Sequence, residues 1–225
     1  MKIGIIVAMD KELQLLCPML DNRMTVTIDD TLFNCGRMAK HDIVVFQCGI
    51  GKVNAAVGVM TLVSNFDLDL IINTGVAGAA DASVSEMDIV VGNRITYHDV
   101  WCGPETEMGT VQGLPRFYEA PAHVVAKIPK RKDIKKGLIA SGDYFVDSLE
   151  KLNEIKANFP DALAVDMESG AIAQVCYLKH LPFMSMRVIS DSPVAGHDNT
   201  AEYNDFWSEA PVHTFEVLKH IVESL

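Results

Sequence analysis

The chain has 225 residues, of which 49% are hydrophobic and 22% are charged, and its formal net charge at pH 7 is −11. A chain of this length can bury a full core within one domain, residues 1–225. The negative charge would repel phosphate backbones and anionic lipid, which argues against a nucleic-acid-binding protein or a membrane-surface protein.

The cysteine usage and the first residues indicate a cytoplasmic protein. None of the five cysteines forms a Cys-x-x-Cys pair, and we interpret them as reduced core residues: Cys17, Cys35, Cys48, Cys102 and Cys176. The apolar run from Met1 to Met9 is short and has no small-residue cleavage site after it, so a signal peptide is not expected. No segment reaches the roughly 20 apolar residues that span a bilayer.

Short runs rich in Val and Ile alternate with longer segments of helical period, which is typical of an α/β sandwich around a largely buried sheet. In the first part of the chain we expect strands at 2–7, 25–28, 32–35, 42–47, 70–73 and from 88 onwards. Helices are expected over 9–17, with Asp10 as the N-terminal cap, and over 52–64. The small residues at 74–78 predict a turn.

The second part of the chain begins with a long aperiodic stretch, 101–121, which we interpret as an ordered loop with a role in function or at an interface. Strands are then expected at 137–141, 162–165 and 183–189. Helices are expected over 148–158 with Ser148 as the cap, from about residue 168, and over 204–223.

The segment Gly49-Ile50-Gly51-Lys52 lies between a strand and a helix, where backbone amides could hold an anion. It does not match a phosphate-binding P-loop, because Phe46 and Val53 stand where a Gly and a Ser or Thr are required. It does not match a dinucleotide-binding loop either, because Asn54 replaces the third glycine. A purely structural turn and a turn that contacts a ligand both stay open.

No metal site is predicted. His98-Asp99 has no second His or Cys at ligand spacing nearby, so we interpret the pair as structural and place it at a subunit contact. A Gly-x-Ser-x-Gly nucleophile elbow is not found in the sequence.

Two carboxylates are the first candidates for a functional site. Glu168 follows a predicted buried strand at the start of a helix, and Asp191 ends the next apolar run. An acid at a helix start is often only a partner of the helix dipole, and that interpretation stays open for Glu168. At the end of so apolar a run, the Asp191 carboxyl would be partly desolvated, which favours its protonated form and suits a proton donor near neutral pH.

Six motifs in register cover nearly the whole chain. They are Lys2-Ile3-Gly4-Ile5-Ile6 with Ala8-Met9 and Glu12, Gly49-Ile50-Gly51-Lys52-Val53, Asn73-Thr74-Gly75, Ser141-Gly142-Asp143, Val165-Asp166-Met167-Glu168 and Arg187-Val188-Ile189-Ser190-Asp191. In this order and spacing the chain resembles the methylthioadenosine/S-adenosylhomocysteine nucleosidases of the purine nucleoside phosphorylase superfamily.

The resemblance implies a single-domain three-layer α/β sandwich with a central mixed, barrel-like β-sheet of the nucleoside phosphorylase type, working as a homodimer. It implies hydrolysis of an N-glycosidic bond with release of adenine from methylthioadenosine and S-adenosylhomocysteine, with 5′-deoxyadenosine and 6-amino-6-deoxyfutalosine as further candidates. The expected partner is therefore a small adenine nucleoside. Neither a metal nor an organic cofactor is expected.

The resemblance also implies a role for each matching residue. Asp191 would be the general acid at purine N7, and Glu12 the base that activates water, with Arg187 helping to place that water. Glu168 and the backbone of Met167 would hold the ribose hydroxyls. The remaining substrate contacts would come from Phe145 stacking on the base and the Val146 backbone at adenine. Met9, Ile50 and Tyr203 would line the 5′ pocket, and Ala8 and Val76 are further expected substrate-binding residues.

Three differences from the patterns of the superfamily bear on the expected reaction and its specificity. Phosphorylases of the superfamily carry an Arg and a Ser to grip phosphate where this chain has Asn73 and Val76, which favours hydrolysis over phosphorolysis. Many nucleosidases have a Ser in place of Val76, so one water contact is expected to differ. After His98-Asp99-Val100 the chain reads Trp101-Cys102-Gly103-Pro104, so the identity of the residue that reaches the partner's 5′ pocket stays open.

Two alternatives to the nucleosidase function stay open, a phosphate-dependent phosphorylase and a non-catalytic nucleoside-binding module.

Overall fold

A computed structural model describes residues 1–193, 206 and 211–225. The described strands are β1 (Lys2–Val7), β2 (Asp21–Ile28), β3 (Thr31–Met38), β4 (His41–Gln47), β5 (Leu70–Ala79), β6 (Ile89–Tyr97), β7 (Tyr118–Glu119), β8 (Ile134–Ser141), β9 (Ala162–Asp166) and β10 (Phe183–Asp191). The described helices are α1 (Asp10–Leu16), α2 (Lys52–Asn65), α3 (Ala122–Val125), α4 (Leu149–Asn158), α5 (Ser169–Leu178) and α6 (Pro211–Ser224), with a 3₁₀ turn at Cys17–Met19.

The ten strands form one mixed sheet that closes on itself over half of its width. Its order is β10-β6-β8-β9-β5-β1-β4-β3-β2, and β7 pairs with β6. Because β10 also pairs with β5, the strands β10, β6, β8, β9 and β5 form a closed ring. Strands β1, β4, β3 and β2 extend from β5 as an open sheet. This confirms the predicted single α/β domain with a barrel-like mixed sheet.

Helices cover both faces of the sheet because successive side chains of a strand point to opposite faces. On β1, Ile3, Ile5 and Val7 belong to one core cluster together with residues of α1 and α6, whereas Ile6 belongs to a second cluster with residues of α2 and α5. A third cluster joins α4 to β8 and β9. The result is the predicted three-layer arrangement, in which the sheet is the buried middle layer.

The structure corrects several predicted local features. Residues 74–78 do not form a turn, because β5 continues through them to Ala79 in parallel register with β10. Met9, not Asp10, is the N-cap of α1. Cys102 is exposed and therefore is not a core residue, although all five cysteines are free.

Other predictions are confirmed. Ser148 caps α4, and its hydroxyl accepts a hydrogen bond from the Lys151 amide at 3.4 Å. The loop predicted over 101–121 is irregular except for the short strand β7. The helix predicted over 204–223 is described from Pro211 to Ser224, and most of its first part lies outside the described residues.

Candidate active site

A cavity of about 350 Å³ opens where β1, β5, β9 and β10 end. Twelve site residues were predicted from the sequence, and eleven of them line this cavity: Ala8, Met9, Glu12, Ile50, Val76, Phe145, Val146, Met167, Glu168, Arg187 and Asp191. The twelfth, Tyr203, lies outside the described residues. Residues from distant parts of the chain therefore share one concave site, as expected for the ends of strands in an α/β protein.

Glu12 is fixed by backbone amides that follow β1 and by one amide within β5. It occupies the third position of α1, and its Oε2 accepts hydrogen bonds from the amides of Ala8 and Met9, both at 2.9 Å. Its Oε1 accepts from the Val76 amide in β5 at 3.2 Å. Burial raises the pKa of Glu12, while Arg187 and the three amides partly oppose that rise. The carboxylate is therefore rigidly held and more basic than an exposed Glu.

Arg187 is the cation of the site and is almost fully buried in β10. Its Nη2 lies 2.6 Å from Asp166 Oδ2 and 3.4 Å from Glu168 Oε2. The same nitrogen donates to Asn73 Oδ1 and, at 3.2 Å, to Ser169 Oγ. The parallel register sets Arg187 beside Gly75 of β5. The guanidinium thus joins two ring strands to the loop that follows β9.

Glu168 is the N-cap residue of α5, but its side chain does not cap the helix. Its Oε1 instead accepts from the Gly51 amide at 3.0 Å, and its Oε2 faces Arg187. Burial raises the pKa of Glu168 to about 7, Arg187 lowers it, and the neighbouring Asp166 raises it. The interpretation of Glu168 as a helix-dipole partner alone is therefore not supported, since both carboxylate oxygens are directed to other groups.

Asp191 ends β10 directly after an irregularity in the pairing with β5. It is 3% exposed, and its Oδ1 accepts a hydrogen bond from the Ser190 hydroxyl at 2.7 Å. Its Oδ2 lies 3.4 Å from the point where a β-carbon on Gly78 would be. The carboxyl group therefore sits close against the β5 backbone at the cavity wall, several residues along the strands from Arg187 and Glu12.

The outer part of the cavity is apolar. Ile50 and Phe145 line it and are about half exposed, and Tyr144 lies beside them. Val146, by contrast, is buried. An arrangement with charged groups at depth and apolar side chains at the mouth suits a ligand that has a polar ring at one end and an apolar substituent at the other.

The glycine loop before α2 is part of the site and not only a structural turn. Gly51 contacts Glu168 through its amide, and Ile50 lines the cavity. Lys52 holds the loop in place, because its amide donates to Asp143 Oδ1 and its Nζ donates to Asp99 Oδ2, both at 2.7 Å. The predicted structural role of Asp99 therefore has a physical basis within the chain.

Sequence reasoning missed a buried polar group of four residues near Arg187: Asn73, Asp166, Ser169 and Ser185. Asp166 and Asn73 stood inside the motifs, but nothing in their local pattern distinguished them from ordinary strand-end residues. Ser190, which binds Asp191, was missed as well. The contacts of Ser169 with Asn73 and Ser185 join residues that are distant in the chain, so a local motif does not display them.

In the part of the chain that the structure describes, no group of three or more His, Cys, Asp or Glu residues is arranged to hold a metal ion. Over the same residues no helix has the length and apolar character needed to cross a membrane. These findings concern residues 1–193, 206 and 211–225.

Comparison with known proteins gives consistent matches over the full chain. The Phosphorylase superfamily profile matches residues 2–223. A 5′-methylthioadenosine/S-adenosylhomocysteine nucleosidase of Staphylococcus saprophyticus is 36% identical over 229 residues, covering 99% of this chain and 100% of the relative.

Solved structures agree in fold and at similar identity. The nucleosidase of S. pneumoniae with the transition-state inhibitor MT-ImmA has a TM-score of 0.93 and 34% identity, covering 100% of this chain and 99% of the other. The nucleosidase of Colwellia psychrerythraea in complex with adenine has a TM-score of 0.91 and 33% identity, covering 100% and 96%.

Proposed function

Since the chain belongs to the methylthioadenosine/S-adenosylhomocysteine nucleosidase family of the Phosphorylase superfamily, we propose that it hydrolyses the N-glycosidic bond of these two nucleosides and releases adenine. The observation that carries the proposal is the convergence of Glu12, Glu168 and Asp191 on one cavity with Arg187. Breaking a ribosyl C–N bond creates a cationic sugar and an anionic purine, so an acid, a water base and carboxylates near the sugar are the groups that this reaction needs.

Asp191 is the proposed general acid. It is buried against β5, and the hydrogen bond from the Ser190 hydroxyl to its Oδ1 helps to orient the carboxyl group that would carry the proton to purine N7. Phe145 would stack on the base, and the backbone of Val146 would bind its edge. Their position on the cavity wall supports this placement.

Glu12 is the proposed water base. Three backbone amides fix its carboxylate, and burial raises its pKa, which makes it a stronger acceptor for a proton from water than an exposed Glu. Arg187 would help to place the water, since its side chain and that of Glu12 both come close to the backbone of Gly75 in β5. Val76 contributes its amide to this arrangement but no hydroxyl group.

Glu168 and the Met167 backbone are proposed to bind the ribose hydroxyls. A carboxylate accepts hydrogen bonds from vicinal hydroxyls, and the Gly51 amide holds Glu168 for this task. The 5′ substituent would then lie against Met9 and Ile50, with Ala8 and Val76 as further contacts on the cavity wall. Tyr203, expected for the same pocket, lies outside the described residues.

A phosphate-dependent reaction is disfavoured by the charges of the cavity. Among the described residues that line it, Arg187 is the one basic side chain, and it already faces Asp166 and Glu168. Asn73 is also occupied, since its Nδ2 donates to the Ile6 carbonyl at 3.0 Å and its Oδ1 accepts from Arg187. A dianion would therefore meet more negative than positive charge.

We further propose that residues 1–225 act as one domain in a cytoplasmic homodimer. On α2, Val53 and Val57 are 73% and 62% exposed and lie one turn apart on the same helix face, next to the cavity residue Ile50. A second copy seated on this apolar face would cover it and would shield the cavity mouth. Free cysteines are consistent with a reducing compartment.

One assay separates the candidate functions. Purified protein is incubated with methylthioadenosine, S-adenosylhomocysteine, adenosine and inosine, with and without phosphate, and free base and sugar are followed. Adenine release independent of phosphate is expected. Ribose 1-phosphate products would establish a phosphorylase instead, and binding without turnover would establish a binding module.

The homodimer is tested by sedimentation. Val57→Asp should shift the protein towards the monomer, while Leu32→Asp, an equally apolar exposed site on β3, should leave the mass unchanged. A wild-type protein that sediments as a monomer at micromolar concentration would contradict the proposed assembly.

A further inference from the structure

Asp166 is a buried carboxylate on the cavity wall that has no task in the reaction as described so far. It ends β9, two residues before Glu168. Its Oδ2 lies 2.6 Å from Arg187 Nη2, whereas Glu168 Oε2 lies 3.4 Å from the same nitrogen. The short ion pair of Arg187 is therefore with Asp166, and Glu168 makes only a marginal contact with the guanidinium.

A polar network fixes Asp166 through residues of three elements, α5, β5 and β10. The same Oδ2 accepts hydrogen bonds from the amide, at 3.2 Å, and the hydroxyl of Ser169 at the start of α5. The Ser169 hydroxyl also lies 3.2 Å from Asn73 Oδ1 in β5 and 2.7 Å from the Ser185 hydroxyl in β10. All of these side chains are buried. Neither Asp166 nor Arg187 can therefore move without breaking contacts to the other ring strands.

The charges of the cluster do not balance. One guanidinium faces three carboxylates, Asp166, Glu168 and Glu12, in a region shielded from water. Unpaired buried charge is costly, so such a cluster takes up protons instead. In agreement with this, burial raises the pKa of Glu168 to about 7, Arg187 lowers it, and the charge of Asp166 raises it further.

We propose that Asp166 is a positioning residue, which pairs with Arg187 so that Glu168 stays available to the ribose hydroxyls and the guanidinium stays beside Glu12. The inference deepens the proposed function and rests on it, because it assumes that Glu168 binds ribose. Asp166 itself need not touch the substrate. Asp166 acts by holding the side chains of Arg187 and Glu168 in the orientations that substrate binding requires.

Removal of the Asp166 charge has a defined consequence for Glu168. Without that charge, Arg187 would turn its ion pair to Glu168, the nearest remaining carboxylate. The other groups that act on Glu168 or Asp166 are Glu12 from α1, the Gly51 amide before α2, the Cys48 thiol after β4 and the His98 ring after β6. None of them replaces Asp166 as an anion at 2.6 Å from Arg187.

The test compares wild type with Asp166→Asn, which keeps the side-chain shape and removes the charge. In the pH profile of kcat/KM, we expect the acid limb to move to lower pH by about one unit, since the carboxylates of the free enzyme define that limb. We also expect KM to rise about tenfold, and the preference for methylthioadenosine over its 2′-deoxy analogue to fall by a similar factor. Asp81→Asn, the same change in a surface ion pair with Lys156, should alter none of these.

Unchanged values of both the acid limb and the 2′-hydroxyl preference in Asp166→Asn would overturn the proposal. Asp166→Glu keeps the charge and displaces the carboxylate, so it should keep the wild-type limb and lose part of the preference. Full wild-type preference in Asp166→Glu would contradict the positioning role even if Asp166→Asn did not fold.

The titration of Glu168 by carbon-13 NMR in both proteins separates this inference from the proposed function. If wild type releases no adenine, the proposed function is wrong, while a Glu168 titration that moves to lower pH in Asp166→Asn still supports the role of Asp166. A titration that does not move overturns that role.

Discussion

Glu12 and Arg187 converge on a single point of the backbone, Gly75. A β-carbon at that residue would lie 2.5 Å from Glu12 Oε1 and 2.7 Å from Arg187 Nη1, both closer than real β-carbons approach other atoms. The proposed base and the cation of the site can therefore lie side by side only because β5 carries no side chain there. The next residue, Val76, then offers its amide to Glu12.

Gly75→Ala should accordingly remove most activity and leave the fold in place. The new methyl group would displace Glu12, Arg187 or both, and a displacement of about 1 Å in a catalytic site can cost about 100-fold in rate. We expect kcat to fall by about that factor, measured as adenine release, with a melting temperature within several degrees of wild type.

Gly113→Ala is the control for Gly75→Ala. Gly113 has a φ of +81°, and no atom lies within 4 Å of a β-carbon built there. The substitution should cost about 1 kcal/mol of stability through backbone strain and leave kcat unchanged. A Gly75→Ala enzyme with wild-type kcat would show that the close approach to Glu12 has no catalytic meaning.

Asp191→Asn tests the general acid. Asn keeps the oxygen that accepts from Ser190 but has no acidic proton to deliver, so kcat should fall by about 10²- to 10⁴-fold. Adenine should still bind, which calorimetry can verify. Asp42→Asn, a change of an exposed carboxylate in a long ion pair with Arg37, should have no effect. Retention of most turnover in Asp191→Asn would assign the acid to another group.

Glu12→Gln tests the water base. All three protein donors to Glu12 are backbone amides, so the NH₂ group of Gln would face an amide that also donates. We expect kcat to fall by at least about 100-fold and the unfolding free energy to fall by about 1–3 kcal/mol. Urea unfolding and adenine release measure the two effects. If kcat fell only in proportion to the fraction unfolded, the chemical role of Glu12 would be refuted.

The sequence predicted those parts of the fold that local patterns control. The apolar run of β1, buried from Ile3 to Val7, and the Ser148 cap are both determined within a few residues, and both are confirmed. The prediction failed at 74–78, because small residues resemble a turn when read alone, and the parallel neighbour β10 keeps them extended. Tertiary pairing therefore overrode local preference in the strand that carries the catalytic backbone.

The candidate site, too, could be predicted from the sequence only in part. Glu168 and Asp191 were detectable because each follows an apolar run, and the six motifs assigned their neighbours. The role of Asp166 was not detectable, because its value depends on a distance of 2.6 Å to Arg187, 21 positions along the chain on another strand. A sequence motif shows that Asp166, Glu168 and Arg187 are present. Which of the two carboxylates pairs with the guanidinium depends on distances that only the folded structure gives.

The pH dependence of stability gives a test of Glu168 that does not require a substrate. The folded protein raises the pKa of Glu168 from 4.5 to about 7, chiefly because the group is buried. A carboxyl group whose pKa is raised by folding binds its proton more tightly in the folded state. Its contribution is therefore complete below pH 4.5 and is lost as the pH rises to about 7.

The loss amounts to about 3 kcal/mol of unfolding free energy. Glu168→Gln stays neutral at every pH, so its stability relative to wild type should increase between pH 5 and pH 8. Glu12 acts in the same direction, while His41 and His98, whose pKa values burial lowers, act in the opposite direction. These groups remain in the variant, so the difference between the two proteins isolates Glu168. Urea unfolding at several pH values measures it, with exposed Glu105→Gln as the control. A difference that stayed constant from pH 5 to pH 8 would mean that Glu168 is ionised throughout that range, and the proton uptake inferred for the cluster would have to be located on Glu12.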